Sequence, residues 1–311
     1  MPLSTIPLPA LEKVGEGVNR PEDVVVARDG RVFASDKSAA VAEILADGSL
    51  RRLGPAAPGA PNGINIDLEG RIVIANYGAH TGDPGPLERL DLATGRREVL
   101  LAEVEGRRLT ASNYPLIDRA GNIWCSHSSA GDFASAARDG RADGFIYLLR
   151  PDGSASVVAE GLLFANGLAM SDDGRFLFCA QTAGSDVVRL PILEGETLGP
   201  AERYGPQLGA RRNPDDPLEN PLTLGCTDGI GFDVEGNLWV TLTMANRVVA
   251  ITPAGEVVTV IDDPDGTIMG KPTNVSWGGA DMKDLYIGSV LRPWIIKARS
   301  PVAGQKLAHQ V

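Results

Sequence analysis

The sequence predicts an all-β protein, a six-bladed β-propeller with four antiparallel strands in each blade. Three observations lead to this prediction. The chain of 311 residues has 37 glycines and 22 prolines but only 5% aromatic residues, which is typical of many short strands joined by turns. One short pattern occurs six times. Its copies start at intervals of ~40–60 residues, which indicates propeller blades rather than two globular domains.

The repeated pattern is a polar residue, a short apolar strand, a turn with glycine and a second strand. The copies begin near residues 21, 61, 112, 165, 227 and 272, as in PNGINIDLEGRIVIA from Pro61 and TDGIGFDVEGNLWVT from Thr227. In five copies the polar residue stands eight positions before the turn glycine, as Asn62 stands before Gly70. Each copy predicts a β-hairpin, and the runs after most hairpins predict two further strands. We interpret residues 1–311 as one propeller domain.

The two ends of the chain are expected to close the ring of blades. After the last copy begins, only residues 273–311 remain, which is enough for three strands. The segment LEKVGEG near the N-terminus precedes the first copy and has no blade of its own. We predict that this segment supplies the outer strand of the last blade, which would remove an exposed sheet edge.

Composition excludes several classes of partner. The formal net charge of −11 and the absence of a basic patch argue against nucleic acid as a partner. No apolar run reaches the ~20 residues of a membrane span, and the N-terminus does not resemble a secretion signal. Three cysteines, Cys125, Cys179 and Cys226, are too few for a disulfide framework, so we expect a cytoplasmic protein.

The polar residues of the six copies are expected to form a ring around the propeller axis, because the innermost strand of each blade lines the central channel. All six carry oxygen: Glu22, Asn62, Asn113, Asn166, Asp228 and Thr273. Burying two carboxylates there is unfavourable unless a positive charge compensates, and a divalent cation with oxygen ligands, calcium first, would do so. Zinc or a redox metal fits less well because the ring has no histidine or cysteine. The alternative is that these residues only cap strands and bind channel water.

Four passages in order resemble the calcium-dependent lactonases of the gluconolactonase, regucalcin and luciferin-regenerating-enzyme family. They are PEDV at Glu22, SNYPLIDRAGNIW at Asn113, FANGLAMSDDGRFLF at Asn166 and TDGIGFDVEGNLWV at Asp228. The resemblance covers nearly the whole chain. It implies that Glu22, Asn166 and Asp228 hold the metal directly and that Asn113 lies beside it, as a ligand or a substrate contact.

One motif departs from the family. Members resemble one another in an Arg-x-Asn-Asp stretch at the third blade, where the arginine and the amide contact a polyhydroxylated lactone. This chain has Ala111, Ser112, Asn113 and Tyr114 there, so the arginine is absent. We expect Asn113 and Tyr114 to contact the substrate, and a more apolar or aromatic lactone becomes a candidate beside a sugar lactone.

Three long loops are expected to crowd the face on which the ring opens. They start at Gly78, His127 and Tyr204, and long loops gathered on one face of a repeat scaffold usually carry binding or catalysis. Tolerated surface insertions are the alternative. His80 and His127 lie in these loops, and Arg292 follows the second strand of the last blade, so all three are candidate substrate contacts. The loop from Tyr204 is a candidate mobile lid.

The leading functional hypothesis is the hydrolysis of a small-molecule lactone. The cation would polarise the carbonyl, and water at or beside the metal would attack it. Asp228 is the first candidate for general base and His127 the second, because a carboxylate bound to a dication is a weakened base. Asn113 would orient the substrate oxygen. Two alternatives remain: a phosphotriesterase with the same site, and a non-catalytic metal-binding propeller.

Overall fold

The structure is a computed structural model that describes residues 3–131, 140–213 and 215–311. It contains six four-stranded antiparallel sheets, so the predicted fold class is confirmed. From the axis outwards, the first three sheets are blade 1, β2 (Val24–Val26), β3 (Val32–Ser35), β4 (Val41–Ile44) and β5 (Leu50–Leu53); blade 2, β6 (Pro61–Ile66), β7 (Ile72–Asn76), β8 (Leu87–Leu90) and β9 (Arg97–Leu101); and blade 3, β12 (Ser112–Ile117), β13 (Ile123–His127), β14 (Gly144–Leu149) and β15 (Ala155–Leu162).

The remaining three sheets follow the same order. They are blade 4, β16 (Ala165–Met170), β17 (Phe176–Gln181), β18 (Asp186–Pro191) and β19 (Glu202–Tyr204); blade 5, β20 (Thr227–Phe232), β21 (Leu238–Leu242), β22 (Arg247–Ile251) and β23 (Val257–Asp262); and blade 6, β24 (Pro272–Gly278), β25 (Asp284–Ser289), β26 (Ile295–Arg299) and β1 (Glu12–Val14). A small hairpin, β10 (Glu103–Val104) and β11 (Arg107–Arg108), lies between blades 2 and 3.

The first strand of the chain closes the ring as the sequence predicted. Strand β1 pairs antiparallel with β26, with Lys13 opposite Ile296, and so becomes the outer strand of blade 6. The innermost strands also contact one another in sequence around the axis, and β24 of blade 6 contacts β2 of blade 1. Blade 6 therefore combines the first strand of the chain with the last three strands, and the outer edge of β26 is paired with β1.

Apolar side chains fill the spaces between neighbouring blades, because each sheet buries both faces. Phe33, Trp124 and Trp239 occupy second strands and are almost fully buried, so they pack between the blades. The indole N–H groups of Trp124 and Trp239 donate to Asp118 and Asp233, the aspartates of the hairpin turns. Each indole thus has an apolar body in the core and a satisfied polar atom.

Helical structure is limited to three short 3-10 turns in the described ranges: Leu8–Ala10, Pro221–Thr223 and Ala308–Gln310. No helix in that part of the chain is long and apolar enough to cross a membrane. The last of the three turns lies on the side of the propeller that carries the hairpin turns. There Gln310 donates to the carbonyls of Val26 and Trp277, in blades 1 and 6.

Candidate functional site

The six ring residues lie at the mouth of the channel, where the inner strands begin. In five blades the pairing between the first two strands shifts register at this point, for example between Pro61 and Ile64 and between Thr227 and Ile230. A β-bulge of this kind redirects a side chain out of the regular alternation. The bulges therefore let Asn62 and Asp228 turn towards the axis while Ile64 and Ile230 continue the apolar strand.

A glycine follows the ring residue in three of the bulges, because the inner strands approach backbone to backbone there. A Cβ atom added to Gly229 would lie 2.4 Å from the carbonyl oxygen of Thr273 in the next blade. One added to Gly167 would lie 2.7 Å from the carbonyl oxygen of Asp228. Only glycine permits this approach, which brings the polar residues of neighbouring blades close together.

Two carboxylates of the ring, Glu22 and Asp228, are close enough for their charges to act on each other. Both are buried, with 6% and 9% of their surface exposed. Burial raises the pKa of Glu22 well above its usual range, and the charge of Asp228 raises it further. Burial likewise raises the pKa of Asp228 to about 7. Two buried acids whose charges repel each other favour a bound positive charge.

Each carboxylate of the ring has an amide beside it. Asn166 lies beside Asp228 and Asn62 beside Glu22, and in both cases the amide lowers the pKa of the acid. The Nδ2 atom of Asn62 also donates to the backbone oxygen of Asn113 at 3.3 Å. Glu22 and Asn62 therefore form one pair and Asn166 and Asp228 another, the charges of the two acids act on each other, and Asn113 contacts Asn62 through its backbone.

Hydroxyl groups placed just after the second strands hold the ring residues from behind. Nδ2 of Asn113 donates to Ser128 Oγ at 2.9 Å, and Nδ2 of Asn166 donates to Thr182 Oγ1 at 3.0 Å. Thr243 Oγ1 is 2.9 Å from Asp228 Oδ2. These hydroxyls fix the direction in which each amide or carboxylate points. The sequence interpretation missed them, although a Ser or Thr at the same place in three blades was a visible signal.

One oxygen of Asp228 has no hydrogen-bond partner in the described part of the chain. Oδ2 is held by Thr243, whereas the buried Oδ1 is without a partner. Leaving a buried carboxylate oxygen without a donor or a cation is unfavourable. This atom is the clearest indication that the ring accommodates something outside the protein chain.

Asp23, next to Glu22, is a buried carboxylate that serves the fold. Its oxygens accept from the backbone N–H groups of Val24 and Ile64 at 2.7 and 2.6 Å and from the amide of Asn274. Because Ile64 is in blade 2 and Asn274 in blade 6, this side chain links three blades below the ring. Burial nevertheless raises the pKa of Asp23 to about 7.

Arg20 is a second site residue that the sequence interpretation missed. Its Nη2 atom donates to Asn62 Oδ1 at 2.9 Å, and Nη1 donates to the carbonyl of Pro61 at 3.2 Å. Its positive charge lowers the pKa of Glu22 and of Asp228. It stands immediately before the first repeat copy, outside the pattern that located the ring, and Lys271 is the basic residue at the equivalent place in blade 6.

His127 does not join the ring, and the structure corrects its expected position beside the metal. Its Nε2 atom accepts from the backbone N–H groups of Thr110 and Ala111, both at 3.1 Å, and its ring stacks on Phe145. Burial lowers the pKa of His127 to about 3. Successive residues of a strand point to opposite faces, so Ser128 faces the ring and His127 faces away. A nitrogen already engaged by two donors is not available as a general base.

Tyr114 lines the channel below the ring rather than the mouth. It borders a cavity of about 330 Å³ whose walls also include Leu168 and Leu307. Burial raises the pKa of its phenol well above the usual range, with smaller contributions from the charges of Asp23 and Glu22. A substrate that contacts Tyr114, as predicted, would therefore have to reach below the ring.

His80 lies near the mouth and Arg292 at its rim. The ring of His80 contacts that of Tyr77, with centroids 5.0 Å apart, and desolvation, together with the charges of Arg20 and Lys37, lowers the pKa of His80 to about 4. The guanidinium of Arg292 donates to the carbonyl of Gly266 and lies 5.7 Å from the ring of Trp294. The charge of Arg20 at the site therefore acts on His80. The guanidinium of Arg292 contacts the connection between blades 5 and 6 and a tryptophan of blade 6.

The three long loops leave strands at the mouth face, as predicted. The first runs from β7 to β8, the second from β13 to β14, and the third from β19 to β20. Residues 132–139 of the second loop and 214 of the third lie outside the described residues. The third loop contacts blade 4, since Leu208 N–H donates to the carbonyl of Ser185 at 2.9 Å.

Among the described residues no group of three or more His, Cys, Asp or Glu side chains is arranged to hold a metal ion. The ring has a different composition, with two carboxylates, three amides and one hydroxyl. Amide and carboxylate oxygens are ligands of hard cations such as calcium, which does not require three acidic residues. The donor set and the unpartnered Asp228 Oδ1 fit such a cation.

Comparison with known proteins assigns the chain to a family. A family model described as "SMP-30/Gluconolactonase/LRE-like region" matches residues 58–290, more than half of the chain. The protein belongs to this family. Members of the family with curated names are similar to it at modest identity. The pentonolactonase XacC of Haloferax volcanii is 26% identical over 178 residues, which cover 57% of this chain and 53% of the relative. A regucalcin from Danio rerio is 28% identical over 190 residues, which cover 61% and 57% of the two chains.

Solved structures agree with the fold. A gluconolactonase from Xanthomonas campestris superposes with a TM-score of 0.71 at 21% identity, covering 94% of this chain and 89% of the other. At this identity the similarity is evidence for the fold alone. The chain spans about half the length of the curated relatives it matches.

Proposed function

We propose that this protein hydrolyses lactones at the oxygen ring, with a divalent cation, calcium first, as its cofactor. The observation that carries the proposal is the buried pair Glu22 and Asp228, whose mutual repulsion and unpartnered Asp228 Oδ1 call for a positive charge. Membership of a family whose named relatives include lactonases supports the choice of reaction.

Glu22, Asn166, Asp228 and Asn113 are the residues that would hold the cation. When bound, a dication in such a site polarises the carbonyl of an ester and stabilises the developing negative charge. Asn166 and Asp228 are pre-oriented for this by Thr182 and Thr243, which fix their outer atoms. Asn113 is held in the same way by Ser128 and presents its side-chain oxygen to the ring or to the substrate.

The overall reaction adds one water to the lactone. The water oxygen bonds to the carbonyl carbon, the ring C–O bond breaks, and the leaving alkoxide takes up a proton, which gives a hydroxy acid. We assign the transfer of this proton from the water to the leaving alkoxide to Asp228, whose carboxylate is held in place by Thr243. His127, the second candidate base, has no part in this scheme because its Nε2 is engaged by backbone donors.

The main reason for expecting a more apolar lactone as the substrate no longer applies. That hypothesis rested on the missing arginine in blade 3. Arg20 from blade 1 contributes a guanidinium beside Asn62 and near both carboxylates, so a polar lactone is compatible with the site.

A pH-indicator assay over a panel of aliphatic, sugar and aromatic lactones tests the proposal. We expect hydrolysis with added calcium, loss of activity with chelator, and recovery on adding calcium back. Asp228→Asn, which keeps the shape of the side chain, should lose activity. Paraoxon serves as the phosphotriester comparison. Activity that survives both chelator and D228N would contradict the proposal, and faster hydrolysis of paraoxon than of every lactone would favour a phosphotriesterase.

A further inference from the structure

Arg20 lies at the mouth of the channel, where its charge is partly balanced by those of Glu22 and Asp228. Its two hydrogen-bond acceptors, the carbonyl of Pro61 and the side-chain oxygen of Asn62, are both neutral. Within the described ranges it makes no ion pair with a carboxylate. A guanidinium has five N–H donors, so three remain after these two hydrogen bonds.

The backbone at Arg20 has a left-handed conformation that recurs in other blades, since Phe164 and Lys271, each two residues before a ring residue, also have positive φ values of 61° and 52°. Its φ of 56° lies in the left-handed region, which glycine adopts freely and which is uncommon for a side chain such as arginine. The N–H of Glu22 donates to the carbonyl of Arg20 at 2.8 Å, so this strained residue fixes the start of the ring.

The charges around the mouth leave an excess of positive charge once the proposed cation is bound. A dication neutralises Glu22 and Asp228. The charge of Arg20, together with that of Lys37, then faces the open mouth, where both charges lower the pKa of His80. Asp23, which is buried below the ring and accepts hydrogen bonds from Ile64 and Asn274, offsets at most one of these two positive charges. A locally positive mouth in a chain of net charge −11 favours an anionic ligand.

We propose that Arg20 determines specificity by pairing with an anionic substituent of the substrate, so that the preferred lactones carry a carboxylate or a similar acid outside the ring. This inference rests on the lactone hydrolysis proposed above. The planar guanidinium offers a carboxylate parallel N–H donors, and such bidentate pairs are among the strong hydrogen bonds in proteins. The acid would be held at the blade 1 and blade 2 side of the mouth, next to the ring.

Two lactones that differ only in charge provide the test: γ-butyrolactone-γ-carboxylate and its γ-carboxamide. For Arg20→Gln we expect the ratio of kcat/KM for the carboxylate to kcat/KM for the carboxamide to fall about 10- to 100-fold, as for the loss of a charged hydrogen-bonded pair. The ratio cancels any effect that the loss of the Arg20 charge has on Glu22 and Asp228, because that effect is common to both lactones. Arg20→Lys should restore part of the affinity. Arg31→Gln, which removes one positive charge at the turn face of the same blade, is the matched control and should behave as the unaltered protein.

Thermal unfolding separates substrate binding from a structural role of Arg20. Arg20→Gly should unfold at the same temperature or higher, because glycine adopts the local φ without strain. The calcium-induced rise in Tm should persist in Arg20→Gln. A marked fall in Tm for Arg20→Gly, or an equal loss of kcat/KM on both lactones, would overturn the assignment.

Calorimetry measures the binding of the ring-opened hydroxy dicarboxylate, so it tests the role of Arg20 even if the protein hydrolyses no lactone. If the unaltered protein hydrolyses neither lactone, the reaction is wrong, but Arg20 is still expected to strengthen binding of this dianion. Weaker binding in Arg20→Gln than in Arg31→Gln supports the role of Arg20. Equal binding in the two variants refutes it.

Discussion

The hydroxyl of Thr243 illustrates how single residues define the site. Oγ1 lies 2.9 Å from Asp228 Oδ2 and 2.9 Å from the carbonyl of Pro272 in the next blade. One side chain therefore positions the central carboxylate and ties it to the neighbouring sheet. Ser128 and Thr182 have related roles at Asn113 and Asn166.

Thr243→Val should lower kcat/KM on a lactone by about tenfold or more, because Asp228 loses a hydrogen bond to a charged group worth about 1.5–3 kcal/mol. Thr243→Ser retains the hydroxyl and is the matched control. Steady-state kinetics at saturating calcium measures both. If Thr243→Val equals the unaltered protein, the hydroxyl does not position Asp228.

His127 predicts a pH dependence of stability. Burial lowers the pKa of His127 to about 3. A proton on Nε2 would point at two backbone N–H donors, so both hydrogen bonds to Nε2 would be lost. In the unfolded chain the pKa is about 6.5, so the unfolded state takes up a proton first and stability falls as the pH drops below this value. Between pH 7 and 5 this residue should cost about 2 kcal/mol of unfolding free energy.

Urea unfolding of His127→Gln at these two pH values checks the prediction. Glutamine keeps an oxygen acceptor but does not titrate, so the variant should lose less stability on acidification than the unaltered protein. An identical loss in both proteins would show that His127 is not the titrating group.

At the scale of the strand, the bulge and its glycine connect sequence to site. The polar residue, the glycine and the return to apolar alternation recur in Asn62-Gly63, Asn166-Gly167 and Asp228-Gly229. The sequence pattern located the ring because the turn glycine eight residues later fixes the register of each hairpin. It could not reveal Arg20, whose position depends on the contact between blades 1 and 2.

His127 shows the limit of the same pattern. The loop in which it lies was correctly expected at the mouth, but the alternation at the end of β13 decides which of His127 and Ser128 faces the ring. One residue of register reverses that choice. The hydroxyls of Ser128, Thr182 and Thr243 were within reach of the sequence pattern, because they follow equivalent strands.

Gly229→Ala should destabilise the protein by more than about 2 kcal/mol, since the added carbon would meet the backbone of blade 6 and overpack the junction. Gly199→Ala, whose added carbon meets only the ring of Pro191 at 3.2 Å, is the control. Chemical unfolding measures both, and calcium binding of the folded Gly229→Ala protein should also weaken. Equal stability of the two variants would contradict a close approach of the inner strands.

At the scale of the molecule, the closed ring gives six inner strands a common axis. Strand β1 pairs with β26, and Asp23 links blade 1 to blades 2 and 6 through Ile64 and Asn274. The architecture was predictable from the repeat, because each copy is one blade and the ends had to complete the last one. Closure places residues more than 200 positions apart, such as Glu22 and Asp228, in one buried site.

The stability of the whole propeller should therefore depend on the cation proposed to occupy the ring. Binding to the folded state alone adds about 2.7 kcal/mol at a ligand concentration of 100 times Kd. The unfolded chain keeps Glu22 and Asp228 far apart along the sequence and should not bind comparably.

The most direct measurement is thermal unfolding of the chelator-treated protein with and without calcium, for the unaltered chain, Glu22→Gln and Asp228→Asn. We expect calcium to raise the Tm of the unaltered protein by several degrees, and to leave both variants nearly unchanged. Magnesium at the same concentration tests selectivity. No rise in the unaltered protein, or an equal rise in the two variants, would show that the buried carboxylate pair does not hold the cation.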